Sequence, residues 1–278
     1  MALIHCDFFS DALGMGTSMT VILPQPVGDA AIGIDVGEVP DPRDRPGGGY
    51  PTLWLLHGLS DDHTTWARRT AVERHVSGRD LAVVMPRVDR SYYADMASGP
   101  AYWEFVSEEL PAVCRRMFRL SDRREDNVVA GLSMGGYGAL KLALNHPERY
   151  AAAASMSGAL DPAGLLGFMP ERAAEWRAIF GDPPDVTGTG SDLFGRAEAL
   201  AEGSHAGLPL FVCCGRDDFL YEHSTRFRDH AVGLGLGVTY EEHDDEEHTW
   251  GYWDRMLPRT LDWFGETTGV GVRTRPEA

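Results

Sequence analysis

The chain has 278 residues, 43% hydrophobic and 24% charged, enough for one large α/β domain with a substantial core. Acidic residues number 42 against 25 lysines and arginines, and the net charge of −17 disfavours nucleic acid and anionic membranes as partners. No apolar run approaches a membrane span, the N-terminus lacks signal-peptide character, and Cys6, Cys114, Cys213 and Cys214 match no zinc or redox spacing, so a cytoplasmic protein with reduced thiols is expected.

Residues 4–10 and 17–23 read as strands joined around Gly14-Met15-Gly16, a hairpin. A third extended run is expected at 31–36, and the proline- and glycine-rich stretch 40–51 reads as an exposed loop. Residues 50–57 form an apolar run closing at Gly58, the pattern of a strand buried on both faces. Helical character follows at 65–76, then a buried strand at 81–86. Residues 87–102, with Tyr92, Tyr93, Gly99 and Pro100, suit an irregular loop near a site. Leu110, Val113, Cys114 and Met117 mark a helix over 105–118.

Asn127-Val128-Val129-Ala130 then leads into Gly131-Leu132-Ser133-Met134-Gly135-Gly136, and residues 137–144 read as a helix. A strand is expected at 150–157. Residues 161–202 break the alternation with four prolines, several glycines and short helical pieces such as 171–179. They read as an insertion over the site. Strands at 208–215 and 238–242 and helices at 222–234 and 250–264 complete the order, with a polar, frayed tail from Thr267. Antiparallel strands followed by strand–helix alternation predict a mostly parallel sheet with helices on both faces. The whole of 1–278 reads as one domain with a cap-like insertion at about 161–204.

A Gly-x-Ser-x-Gly between strand and helix is the nucleophile elbow. The pentapeptide alone is weak in a chain with 32 glycines; its context gives it meaning. The turn strains Ser133, exposes its hydroxyl at a helix N-terminus and frees the Met134 N–H for a developing oxyanion. A serine hydroxyl needs a base, and the base an orienting carboxylate, in the chain order serine, acid, histidine. The strand ending at Gly215 opens into Arg216-Asp217-Asp218, and Asp218 is the candidate acid with Asp217 as rival. The last strand opens into His243-Asp244-Asp245-Glu246-Glu247-His248, and His248 is the candidate base. Its spacing from His243 matches no zinc motif, so no metal is expected. His57-Gly58-Leu59 suits the second oxyanion donor, with the Leu59 N–H joining that of Met134 and His57 shaping the loop. Tyr92, Tyr93, Tyr102, Trp103 and Trp176 are candidates to line a small aromatic pocket.

With these residues assembled, the chain resembles the esterase D family of α/β-hydrolases, and most of all the bacterial tributyrin esterases. The likeness runs from Asp7-Phe8-Phe9-Ser10 through Leu55-Leu56-His57-Gly58-Leu59-Ser60, Trp66, Val84-Met85-Pro86 and Glu108-Glu109-Leu110-Pro111. It continues through 130–138, Ser157-Gly158-Ala159-Leu160, Cys214-Gly215, Asp218-Phe219-Leu220-Tyr221-Glu222 and 248–253. The resemblance implies an α/β-hydrolase fold with Ser133 as nucleophile, His248 as base, Asp218 as acid, and Leu59 and Met134 as oxyanion donors. It also implies hydrolysis of short-acyl small-molecule esters without cofactor or metal, often in a homo-oligomer. S-formylglutathione-type thioester hydrolysis, feruloyl ester hydrolysis and acyl transfer with the same three residues are the alternatives. A non-catalytic binding protein on the same scaffold is a further one. The loop at 40–51 and the insertion depart from the family pattern, which leaves substrate choice open.

Overall fold

One eight-stranded sheet organises the chain. Its strands are β1 (Ala2–Ser10), β2 (Met15–Leu23), β3 (Thr52–Leu56), β4 (Ala82–Pro86), β5 (Asn127–Leu132), β6 (Ala152–Met156), β7 (Leu210–Gly215) and β8 (Val238–His243). The order across the sheet is β1-β2-β4-β3-β5-β6-β7-β8. β2 runs antiparallel to β1 and β4, and every other neighbouring pair is parallel. The computed structural model describes residues 1–25 and 40–272, apart from the side chains of 166–168. The run expected at 31–36 lies outside the described residues.

The helices are α1 (Thr65–Arg69), α2 (Val72–Val76), α3 (Tyr102–Glu104), α4 (Leu110–Phe118), α5 (Met134–Asn145), α6 (Pro162–Phe168), α7 (Ala173–Phe180), α8 (Leu193–Glu202), α9 (Tyr221–Gly233) and α10 (Trp250–Thr268). Strands β3 to β7 are buried along their whole length, which is why they read as unbroken apolar runs. Successive side chains feed opposite faces. Leu56, Val84, Val129 and Val212 join one core cluster with Tyr137 of α5 and Phe227 of α9. Leu55, Val83, Val128 and Phe211 join a second with Trp253 and Leu257 of α10. No helix among the described residues is long and apolar enough to cross a membrane.

Three elements differ from expectation. The helix expected at 65–76 divides into α1 and α2, because Asp254 of α10 accepts the Ala71 N–H at 2.8 Å and Thr70 takes an extended conformation. The helix expected at 105–118 begins earlier, as α3, and passes through a π-helical turn at Phe105–Glu109 into α4. Pro111 has no N–H to give the Ser107 carbonyl, which accepts instead from Arg149 Nη1 at 2.8 Å. The tail does not fray at Thr267: α10 runs to Thr268, Gly269 closes it at φ 80°, and Val270 is buried.

The insertion is tied to the elbow helix α5. Tyr137 Oη donates to the Ser191 carbonyl at 2.8 Å, and Asn145 Nδ2 to the Gly190 carbonyl at 2.9 Å. Lys141, the only lysine, is buried between them. Its Nζ donates to the Tyr93 carbonyl at 2.7 Å and Ser191 Oγ at 3.0 Å and lies over the Trp103 ring. Burial brings its pKa down to about 7.

Candidate active site

Ser133 joins β5 to α5 at φ 53°, ψ −119°, a conformation that L-residues rarely adopt. The flanking glycines explain how the chain tolerates it. A Cβ on Gly131 would stand 2.2 Å from the Gly135 carbonyl oxygen, and one on Gly135 would stand 2.3 Å from that of Leu56. Both positions exclude any side chain, so the turn closes tightly and lifts the hydroxyl clear of the sheet.

The candidate acid and base, Asp218 and His248, arrive from the carboxyl ends of β7 and β8. A Cβ on Gly215 would lie 2.0 Å from the Glu246 carbonyl oxygen, so glycine there lets the two loops touch. Asp218 is buried and Asp217 exposed, and of the two it is Asp218 that meets His248. His248 Nδ1 lies 2.8 Å from Asp218 Oδ2 and 3.0 Å from Oδ1, and Nε2 lies 3.0 Å from Ser133 Oγ. Asp218 Oδ1 also accepts the Leu220 N–H at 2.8 Å, which holds the carboxylate from its own turn. A carboxylate on Nδ1 selects the tautomer whose Nε2 lone pair faces the serine. Phe219 and Trp253 flank the imidazole, with ring centroids 4.6 and 4.8 Å away. Trp253 is itself held by Nε1 donating to Ser157 Oγ at 3.1 Å.

The loop after β3 runs beside the serine, and a Cβ on Gly58 would lie 3.6 Å from that of Ser133. His57 sets the direction of its peptides. The Val88 N–H donates to His57 Nε2 at 3.1 Å, so the ring proton sits on Nδ1, which donates to the Gly58 carbonyl at 2.7 Å. In a trans peptide, carbonyl and N–H point opposite ways. Holding the Gly58 carbonyl inward therefore turns the Leu59 N–H away from His57, and that N–H makes no hydrogen bond among the described residues. Met134 opens α5, where no preceding turn supplies its N–H with an acceptor. Burial lowers the His57 pKa to about 4 and keeps the ring neutral. Asp61 Oδ2 accepts the Gly58 N–H at 3.1 Å and secures the loop from the other side.

Ser133 and His248 open onto a cavity of about 360 Å³ walled by Tyr92, Leu165, Met169, Arg172, Phe219 and Trp250. Of the aromatics expected there, only Tyr92 reaches it. Trp176 is buried behind Tyr92, ring centroids 4.7 Å apart. Tyr93 turns the other way and donates its hydroxyl to the His57 carbonyl at 2.9 Å. Tyr102 donates to Asp89 Oδ2 at 2.6 Å. Trp103 faces a separate depression beside Lys141 and stacks on His146. The reason is local: Tyr92 and Tyr93 both sit at φ near 50°, and this double left-handed turn sends consecutive rings apart. Phe219, Trp250 and Trp253 wall the cavity instead. Their signal was adjacency, since Phe219 follows Asp218 and Trp250 follows His248 by two positions. Within the acidic run, Asp244 pairs with Arg216 and Glu246 with Arg255. No group of three or more potential metal ligands occurs among the described residues.

The esterase family model, "Esterase", matches residues 37–264. An acetyl esterase from Caldicellulosiruptor saccharolyticus is 26% identical over 275 residues, covering 96% of this chain and all of that protein. The structure of fluorophosphonate-binding serine hydrolase F from Staphylococcus aureus matches with a TM-score of 0.80 at 32% identity, covering 95% of this chain and 98% of that one. S-formylglutathione hydrolase from the same species matches with a TM-score of 0.77, also at 32% identity, over the same shares. The strand order, the elbow and these likenesses agree: the chain belongs to the esterase family, has the α/β-hydrolase fold and is a serine esterase.

Proposed function

We propose that Ser133, His248 and Asp218 form the catalytic triad, with the Leu59 and Met134 N–H groups as the oxyanion hole. The observation that carries this is one imidazole bridging Asp218 and Ser133 at hydrogen-bond distance on both sides. His248 Nε2 takes the hydroxyl proton as Ser133 Oγ bonds to the ester carbonyl carbon, and the carbonyl oxygen becomes an oxyanion facing the two N–H groups. Asp218 stabilises the imidazolium. As the tetrahedral centre collapses, the C–O bond to the alcohol breaks and His248 gives that oxygen the proton. Water then repeats the sequence on the acyl-enzyme and regenerates Ser133.

The substrates proposed are short-acyl, acetyl to butyryl, esters of tributyrin-esterase type. The small apolar chamber supports this reading, with Tyr92, Leu165 and Met169 limiting the acyl chain, as does the likeness to an acetyl esterase. The insertion at about 161–204 acts as a cap that supplies Leu165, Met169 and Arg172, within a single domain. The proposed setting is cytoplasmic, consistent with four free cysteines, and neither cofactor, metal, nucleic acid nor membrane enters the scheme.

A second reading, thioester hydrolysis of S-formylglutathione type, is supported by the 32% identity to an S-formylglutathione hydrolase and by two arginines beside the cavity. A polar depression shares Ser60, Asp61 and Trp250 with the cavity and carries Arg68, Arg69 and Arg87 together with Asp61, Asp62 and Asp89, and Arg87 pairs with Asp89. Arg68 and Arg69 make no ion pair within 4 Å among the described residues, so they are available to carboxylates on a leaving thiol despite the net charge of −17. Comparing p-nitrophenyl acetate, butyrate and octanoate with S-formylglutathione and methyl ferulate separates these readings, and product analysis with competing alcohols detects acyl transfer. Ser133→Ala is the control, and hydrolysis at the wild-type rate in that variant overturns the triad.

A further inference from the structure

Three of the large apolar side chains most exposed to solvent, Leu3, Phe9 and Met15, lie on the β1–β2 hairpin, far from the cavity walls in sequence. Phe9 is 65% exposed because its cross-strand neighbour is Gly16, which offers the ring nothing to pack against. Among the described residues β1 bonds only to β2, so one row of its N–H and carbonyl groups faces outward over nine residues. Long edges of this kind invite a further strand.

The sequence of β1 says which strand fits. We propose that β1 pairs antiparallel with β1 of a second copy of this chain, about a two-fold axis through Cys6, joining the two sheets into one. In that register Leu3 stands opposite Phe9, Ile4 opposite Phe8 and His5 opposite Asp7, each pair occurring twice. Odd and even residues keep to their own faces, as an antiparallel pair requires. Moving the axis one residue in either direction breaks the His5–Asp7 pair, setting Asp7 against Leu3 or against itself, so that pair selects the register centred on Cys6. The hairpin already orients the polar pair. His5 Nδ1 meets Thr20 Oγ1 at 3.0 Å, and Asp7 Oδ1 accepts from Ser18 Oγ at 2.5 Å. His5 Nε2 and Asp7 Oδ2 remain without a partner among the described residues. Pairing would extend one polar row across the axis, Thr20–His5–Asp7–Ser18, with Leu3 of one copy covering Phe9 of the other. Such an isologous contact closes at two copies.

Cys6 supplies the test, because it would face its own symmetry mate across the axis while Cys114, Cys213 and Cys214 are buried. Light scattering and sedimentation of the full chain should show a dimer, and copper–phenanthroline oxidation should link it covalently in the wild type but not in Cys6→Ser. His5→Asp alone should raise the dimer dissociation constant at least about tenfold, and His5→Asp with Asp7→His should restore it. Retained ester turnover in each variant shows that the fold survives. A single-chain mass up to about 100 µM, a dimer without Cys6 cross-linking, or equal weakening in the single and double variants overturns the proposal.

Discussion

Two loops bring a histidine toward Ser133, and they hold it in opposite ways. After β3, His57 is buried with both ring nitrogens bonded to backbone, one to the Gly58 carbonyl and one to the Val88 N–H. After β8, His248 keeps 18% of its side chain exposed and offers its nitrogens to a carboxylate and a hydroxyl. The first ring is a neutral bracket whose proton has nowhere to go. The second, in the proposed triad, is placed to accept a proton, because the Asp218 carboxylate lies against Nδ1 and the Ser133 hydroxyl against Nε2 beside an open cavity. Residue type and closeness to the serine do not separate the two; the partners of each nitrogen do.

Substitutions can break this contrast, starting with the side that moves protons. Ser133→Ala should lower kcat by roughly 10⁵- to 10⁶-fold and abolish fluorophosphonate labelling while circular dichroism stays native. Asp218→Asn should cost about 10⁴-fold, because an amide offers an N–H to Nδ1 and selects the wrong tautomer of His248. Near-wild-type turnover in Asp218→Asn would mean that tautomer selection does not matter here.

The bracket should yield smaller and different losses. His57→Ala should lower kcat by roughly 10- to 100-fold with KM little changed, since a freed Gly58–Leu59 peptide weakens one oxyanion donor. His57→Gln, which retains one donor and one acceptor, should recover part of that loss. The pH dependence has a definite sign. His57 has a pKa of about 4 in the fold against 6.5 when unfolded, so the unfolded chain binds the extra proton between those values. Its contribution is complete above pH 6.5 and falls by at most about 3 kcal/mol as pH drops through 4. His57→Gln should flatten that part of the Tm–pH curve; an unchanged slope would show that His57 is not held neutral.

The smallest effects sharpen the assignment of the wall. Tyr92→Ala should raise the octanoate-to-butyrate ratio of kcat/KM by about 3- to 10-fold, by removing about 1 kcal/mol of exclusion. Trp103→Leu, outside the cavity, should leave that ratio unchanged. A shift with Trp103 and none with Tyr92 would reverse the placement of the two rings.

Much of the fold was legible because parallel strands buried on both faces must be apolar throughout, as Leu53 to Leu56 and Val83 to Val84 are. The elbow was legible because the close approach of Gly131 to Gly135 is made within one turn, although what excludes a side chain at Gly135 is Leu56 on the neighbouring strand. Less could be read where neighbours distant in sequence intervene: Asp254 divides the helix at 65–76, and Arg149 takes the carbonyl that Pro111 leaves without a donor. The cavity wall was hardest, since Tyr92 and Tyr93 look equivalent until the backbone sends one to the cavity and the other to the His57 carbonyl.

The sequence by itself determined the succession of strands and helices, the strained serine between them, and the order serine, aspartate, histidine. These follow from short-range sterics and from burial averaged over each segment. Only the tertiary structure decided that Asp218 rather than Asp217 meets His248, that Phe219 and Trp250 rather than Trp103 and Trp176 wall the cavity, and that the Leu59 N–H turns away from His57. Each of these depends on where a side chain or peptide points, and that direction comes from contacts made across tens or hundreds of residues.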